Sequence, residues 1–143
     1  MKYLSLVRLL AIVAFGLLSS CSEKDESSIL KEFEKGPIAA LNDKENLKKV
    51  GLSVFANYSN WSYNVEKTDS IVSPYTAIIN GVASSDGYKM RILMAYQDDK
   101  WVFTELGNLL PDEDEWINLR KDEFSGPEQQ AELQAIKNIL ETN

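Results

Sequence analysis

The sequence predicts an α+β fold: an antiparallel meander of about four strands, packed with helices before and after it. Three observations predict it. Between residues 60 and 106, apolar and polar residues alternate with period two in runs divided by turn residues. On either side of that region, apolar residues recur at helical spacing instead. Two hairpin turns, read independently, also assign the same residues to one face of the sheet.

The chain opens on a segment expected to be processed rather than folded. Lys2 and Arg8 form a short basic region, and Leu9 to Leu18 follow without a charge. That apolar run matches the ~7–15 residues of a secretory signal and is short of the roughly 20 that span a membrane. Its exit reads Leu18-Ser19-Ser20-Cys21. This quartet resembles the lipobox of bacterial lipoproteins, an aliphatic residue and two small ones before the cysteine that is lipidated. The resemblance implies cleavage between Ser20 and Cys21, a thioether-linked diacylglycerol on Cys21, and a fatty acyl chain such as palmitate on its amine. In diderm bacteria an aspartate after the cysteine tends to retain such proteins in the inner membrane. Ser22 stands there, so the implied address is the outer membrane, on its periplasmic face. Residues 22–26, Ser-Glu-Lys-Asp-Glu, are faintly similar to surface-export signals, which would make surface exposure the alternative. Physically the anchor is sufficient: each buried methylene contributes roughly 0.8 kcal/mol, and two or three chains exceed the marginal hold of one. A plain secreted protein would instead expose a reactive thiol.

Removing the first 20 of 143 residues leaves 123, and it takes away two basic and no acidic residues, so the net charge moves from −7 to −9. A chain of that length forms one domain with its own core. Cys21 is the sole cysteine, so packing rather than disulfides must hold the domain. Residues 1–20 are thus expected to be the signal, 21–28 a polar lipidated tether, and 29–143 a single domain. The acidic balance disfavours nucleic acid and anionic lipid and permits a basic protein partner, although it also simply keeps a domain soluble.

Along the domain, Ile29, Leu30 and Phe33 give a short helical stripe that Gly36-Pro37 is expected to end. A longer helix is expected from Asp43 to Tyr58, with Asn42 and Glu45 as a capping box and Leu47, Val50, Val54, Phe55 and Tyr58 as its stripe. Gly51 costs that helix about 1 kcal/mol relative to alanine or marks close approach to the sheet. A strand over residues 52–58 is the competing reading. Trp61, Tyr63 and Val65 then alternate with polar residues as a half-buried strand, and residues 67–74 read as a connection. Residues 76–83, 88–96 and 100–106 complete the meander.

A two-residue Asp86-Gly87 turn pairs Ile79 with Met94 and Ala77 with Tyr96, and a two-residue Asp98-Asp99 turn pairs Tyr96 with Trp101 and Met94 with Phe103. Both place Ala77, Ile79, Gly81, Ala83, Met90, Ile92, Met94, Tyr96, Trp101 and Phe103 on one face. Its small residues would admit the helix at 43–58. The opposite face takes Ile78, Asn80, Val82, Lys89, Arg91, Leu93, Ala95, Val102, Thr104 and Leu106. It is neither dry nor cleanly polar, so another element covers part of it or it docks a partner. Asn80, Arg91, Leu93, Val102 and Thr104 are its candidate interaction residues. A short helix is expected within residues 111–124, its acids at the positive end. A final helix runs to about Glu141, with Ser125 and Glu128 as capping box and Leu133, Ile136 and Leu140 as stripe. The outline is similar to cystatin-like and NTF2-like rolls by analogy of shape, without a matching motif.

The chemistry is narrowed by the absence of histidine from the whole sequence. Ser-His-Asp triads, histidine bases and most zinc or non-haem iron sites are excluded together, and acylation of Cys21 would remove the cysteine nucleophile. Ser28-Ile29-Leu30-Lys31 has the Ser-x-x-Lys spacing of penicillin-binding enzymes. The chain is too short for that fold, however, and Lys67-Thr68-Asp69 has aspartate where glycine is required. The acidic run from Asp112 to Glu123 has Trp116 and Ile117 where a calcium loop needs an oxygen ligand and glycine. Asp98-Asp99 reads as turn chemistry. Aromatics around Asn57, Asn60 and Asn64 could stack on glycan rings, but a core role for Trp61, Tyr96 and Trp101 is the simpler reading. No metal, cofactor or enzymatic activity is expected. The expected role is a lipid-anchored envelope module that binds a protein partner. The alternative is an acidic inhibitor or immunity protein that neutralises a basic hydrolase or toxin.

Overall fold

Four long strands and a short fifth form one antiparallel sheet in the order β1-β2-β3-β4-β5, in a computed structural model that describes residues 24–109, 117–119 and 126–141. The strands are β1 (Tyr58–Lys67), β2 (Tyr75–Ala83), β3 (Lys89–Gln97), β4 (Lys100–Leu109) and β5 (Ile117–Leu119). Helices precede it as α1 (Glu26–Phe33), α2 (Ala39–Asn42), α3 (Lys44–Lys49) and α4 (Ser53–Ala56), and α5 (Pro127–Glu141) follows it. The α+β meander flanked by helices is therefore present.

One face of the sheet carries the core. Ala77, Ile79, Ile92, Met94, Tyr96 and Trp101 meet Ile29 and Phe33 of α1, Leu41, Leu47, Phe55, and Ile136 and Leu140 of α5 in a single buried cluster. Period-two alternation put those strand residues on one side, and the helical stripes supply the layer above. Phe33 lies 4.7 Å from the Trp101 ring and 5.4 Å from that of Tyr63, and the Trp101 indole donates to the Ile29 carbonyl at 3.2 Å. The first helix is thereby fastened to the fourth strand.

Several expected boundaries move. The tether ends sooner than residue 28, because Asp25 caps α1 by accepting from the Ser28 N–H at 2.7 Å, and the helix starts at Glu26. Gly36-Pro37 does not stop the helix. The backbone widens into a π-helical turn over Glu34–Ile38 and continues into α2. A widened turn accommodates a residue that lacks an N–H and crowds the preceding carbonyl, and Pro37 within it is buried.

The expected helix from Asp43 to Tyr58 is two short helices and the start of a strand. Gly51, at φ 87°, breaks it, no described residue approaches the position of its missing side chain, and Tyr58 begins β1. Asp43 rather than Asn42 caps α3, accepting from Asn46 N–H at 3.0 Å. Val50 and Val54 of the expected stripe are exposed, while Leu52 takes the buried place.

In the β2–β3 hairpin Ala83 pairs with Tyr88 around a four-residue loop, so Ile79 faces Ile92 and Ala77 faces Met94. The register differs from the expected one by two residues, an even shift that leaves every side chain on its expected face. The β3–β4 turn is as expected, with Tyr96 opposite Trp101 and Met94 opposite Phe103. Asp98 and Asp99 both take positive φ, 50° and 61°, as a type I′ turn requires. A bulge follows at Thr104, since Leu93 pairs with Glu105 but Met94 with Phe103. The extra residue turns Leu106 into the core, away from the face expected for it.

Of the helix expected within residues 111–124, Ile117–Leu119 is instead β5, paired with Leu106 to Asn108, and the remainder lies outside the described residues. Ser125 also lies outside them. The N–H of Gly126 is bonded by the Gln129 side chain at 2.9 Å, and Leu133, Ile136 and Leu140 are buried as the stripe of α5.

Candidate functional site

The second face of the sheet gathers the residues singled out from sequence. Ile78, Leu93, Ala95 and Val102 form its apolar centre in register: Ile78 opposite Leu93 on β2 and β3, Ala95 opposite Val102 on β3 and β4. Asn80 faces Arg91, whose Nε donates to Asn80 Oδ1 at 3.4 Å. Thr104, at the bulge, donates to the Leu93 carbonyl at 2.9 Å and is exposed. Asn80, Arg91, Leu93 and Val102 are each half-buried, so all five candidate interaction residues share one surface. Leu106, expected beside them, is absent for the reason given above.

A polar rim borders this centre. On β1 it consists of Ser62, Asn64 and Glu66, with Asn64 donating to Glu66 at 2.6 Å. Glu105 borders the centre on β4. Among the described residues the helices build their cluster on the opposite side, and Val82 on this face is 37% exposed. An apolar centre inside a polar border is the chemistry of a protein-docking surface.

Sequence reasoning missed a second feature at the end of the sheet that holds the β3–β4 turn. A groove of about 590 Å³ is lined by Lys24, Lys31, Lys35, Glu32, Asp99 and Trp101 among others. The spacing of the lysines, seven and then four residues, was a readable helical face. Lys24 is already committed: Nζ meets Glu32 at 2.8 Å and the Asp99 carbonyl at 3.5 Å, and Tyr96 donates to the same Glu32 at 3.2 Å. The hydrogen bond to Glu32 pushes Lys24 up to about 12.

At the same end, the β1–β2 loop holds Ile71 and Val72 in solvent, 97% and 73% exposed. The loop is tied internally. Thr68 Oγ1 donates to the Ser73 carbonyl, Ser73 N–H to Ser70 Oγ at 3.1 Å, and Gln97 Nε2 to Ser73 Oγ at 2.6 Å. An aliphatic pair between serines, outside any alternating run, was its signal in the sequence.

Ser20 and Cys21 lie outside the described residues. Among the described residues no group of three or more acidic side chains gathers as a metal site, and no helix is long and apolar enough to cross a membrane. Among the described residues the titrations that move do so away from neutrality. Burial raises Tyr58 and Tyr96, the bond to Glu34 raises Tyr63, and the bond from the Ser28 backbone lowers Asp25. That is the wrong direction for acid–base work at neutral pH. Trp61 Nε1 and Asn108 Oδ1 are buried without a partner among the described residues. Comparison with known protein families, with curated proteins and with solved structures finds no match to this chain, so its role has to be read from its own side chains.

Proposed function

We propose that this chain is a lipid-anchored envelope protein that acts by binding, holding a protein partner on the sheet face that no described helix covers while Cys21 fixes it to the outer membrane. The supporting observation is the apolar strip of Ile78, Leu93, Ala95 and Val102, bordered by Asn80, Arg91 and Glu105 on the face away from the helical layer. The lipobox-like Leu18-Ser19-Ser20-Cys21 supplies the anchoring half of the reading. A net charge of −7 disfavours a nucleic-acid partner.

The test places a photo-crosslinking residue at Leu93, and as a control at exposed Lys48 on α3, in the intact lipidated protein in its native envelope. A discrete adduct from position 93 and not from 48 is expected, and its loss from the membrane fraction in the Cys21→Ser variant checks the anchor. Equal adducts from both positions, or none from 93, would remove the sheet face from the proposal. A basic hydrolase as the adduct, released by salt in uncrosslinked samples, would make the protein its acidic inhibitor or immunity partner.

A further inference from the structure

We propose that the β1–β2 loop is a second membrane contact: the Ile71 and Val72 side chains dip into the phospholipid surface beside the acyl anchor and set the orientation of the domain. The inference rests on Cys21 being lipidated.

It follows from which groups share an end of the sheet. The β1–β2 loop and the β3–β4 turn lie at the same end, joined by the bond from Gln97 to Ser73 at 2.6 Å. Lys24 reaches that turn through the Asp99 carbonyl at 3.5 Å. Only two residues, Ser22 and Glu23, separate Lys24 from Cys21, and the three steps between them extend at most about 10 Å. A lipid on Cys21 therefore brings this end of the molecule to the membrane, and a pair of aliphatic side chains already protrudes there.

Exposure alone would be unremarked for one aliphatic residue; two in sequence, at 97% and 73%, on a loop stiffened by its own Thr68, Ser70 and Ser73 bonds, make a preformed tip. A stiff tip loses little conformational entropy on insertion. Asp69, beside the tip and exposed, limits penetration to the side chains and keeps the backbone at headgroup depth. A lipid surface is favoured over a protein partner because the anchor holds it within reach at all times, which raises its effective concentration.

The experiment exploits the single cysteine. Once Cys21 is acylated, Val72→Cys or Ser85→Cys carries the only free thiol, and Ser85 lies in the β2–β3 loop at the far end of the sheet. Each lipidated variant is labelled with an environment-sensitive fluorophore and reconstituted into phosphatidylethanolamine/phosphatidylglycerol vesicles with or without spin-labelled lipid. The expected result is a blue-shifted emission at 72, largely quenched by the spin label, with position 85 unshifted and unquenched. If 72 is as water-exposed as 85 while mass spectrometry shows Cys21 acylated, the contact is disproved and the anchor stands. An unacylated Cys21 overturns both. A blue shift that persists without vesicles and grows with protein concentration would give the tip to a second copy and overturn the lipid assignment.

Discussion

At Gly51 the backbone takes φ 87° and, beyond its chain neighbours, no described residue comes within 4 Å of where a Cβ would stand, whereas a Cβ at Gly81 would sit 2.5 Å from the Trp61 indole. One glycine serves conformation and the other serves space, and substitution separates the two. Gly51→Ala should destabilise by about 1–2 kcal/mol through the left-handed backbone, with Gly51→Asn costing less. Gly81→Ala should cost about 1–3 kcal/mol through overpacking. In a Trp61→Leu background the Gly81→Ala cost should fall, because the clash has gone, while Gly51→Ala should cost the same. Denaturant titration of the four combinations checks this. Equal Gly81→Ala costs in both backgrounds would mean that the indole is not what the position is small for.

Among the elements, those read correctly from sequence are those whose signal is local. Alternation in residues 76–83 and 88–96 needs only neighbouring side chains to choose a face, and it also survives an even error in register. That Asn80, Arg91, Leu93, Val102 and Thr104 share one face was legible for the same reason. What was not legible depends on partners far along the chain or on single backbone angles. The π-helical turn at Glu34–Ile38 carries a buried Pro37 through the stop signal of Gly36-Pro37, and the helix runs on into α2. The bulge that turns Leu106 inward has no sequence mark, since Thr104 is an ordinary strand residue. The exposed Ile71 and Val72 were absorbed into a connection because turn residues surround them. Caps were off by one residue, Asp43 for Asn42, as either side chain can accept from the first turn. Asp25→Ala, removing the α1 cap, should cost about 1 kcal/mol, a loss that circular-dichroism melts would read.

For the whole molecule, the same inventory that excludes histidine chemistry shapes the response to pH. No histidine titrates in this chain, so the melting temperature should be flat over about pH 6 to 9. Tyr58, Tyr63 and Tyr96 all hold their protons more firmly when folded than at the ordinary 10.0. Their contribution is complete below that value and is lost as pH rises through the folded values. Melting should therefore fall above pH 10, and less steeply in Tyr63→Phe, where the bond to Glu34 no longer titrates. A fall already present near pH 7 would point to a group outside this set. The fastening of Ile29 and Phe33 to Trp101 also has a kinetic meaning. Neighbouring strands can pair in the order in which a ribosome makes them, each closing a short loop. The first helix has no such freedom: its permanent cover arrives some seventy residues later, with Trp101. It should dock last, so Ile29→Val should chiefly speed unfolding and Ile79→Val chiefly slow folding, each shifting stability by about 1 kcal/mol. The first element of the domain to emerge would be the last to become native.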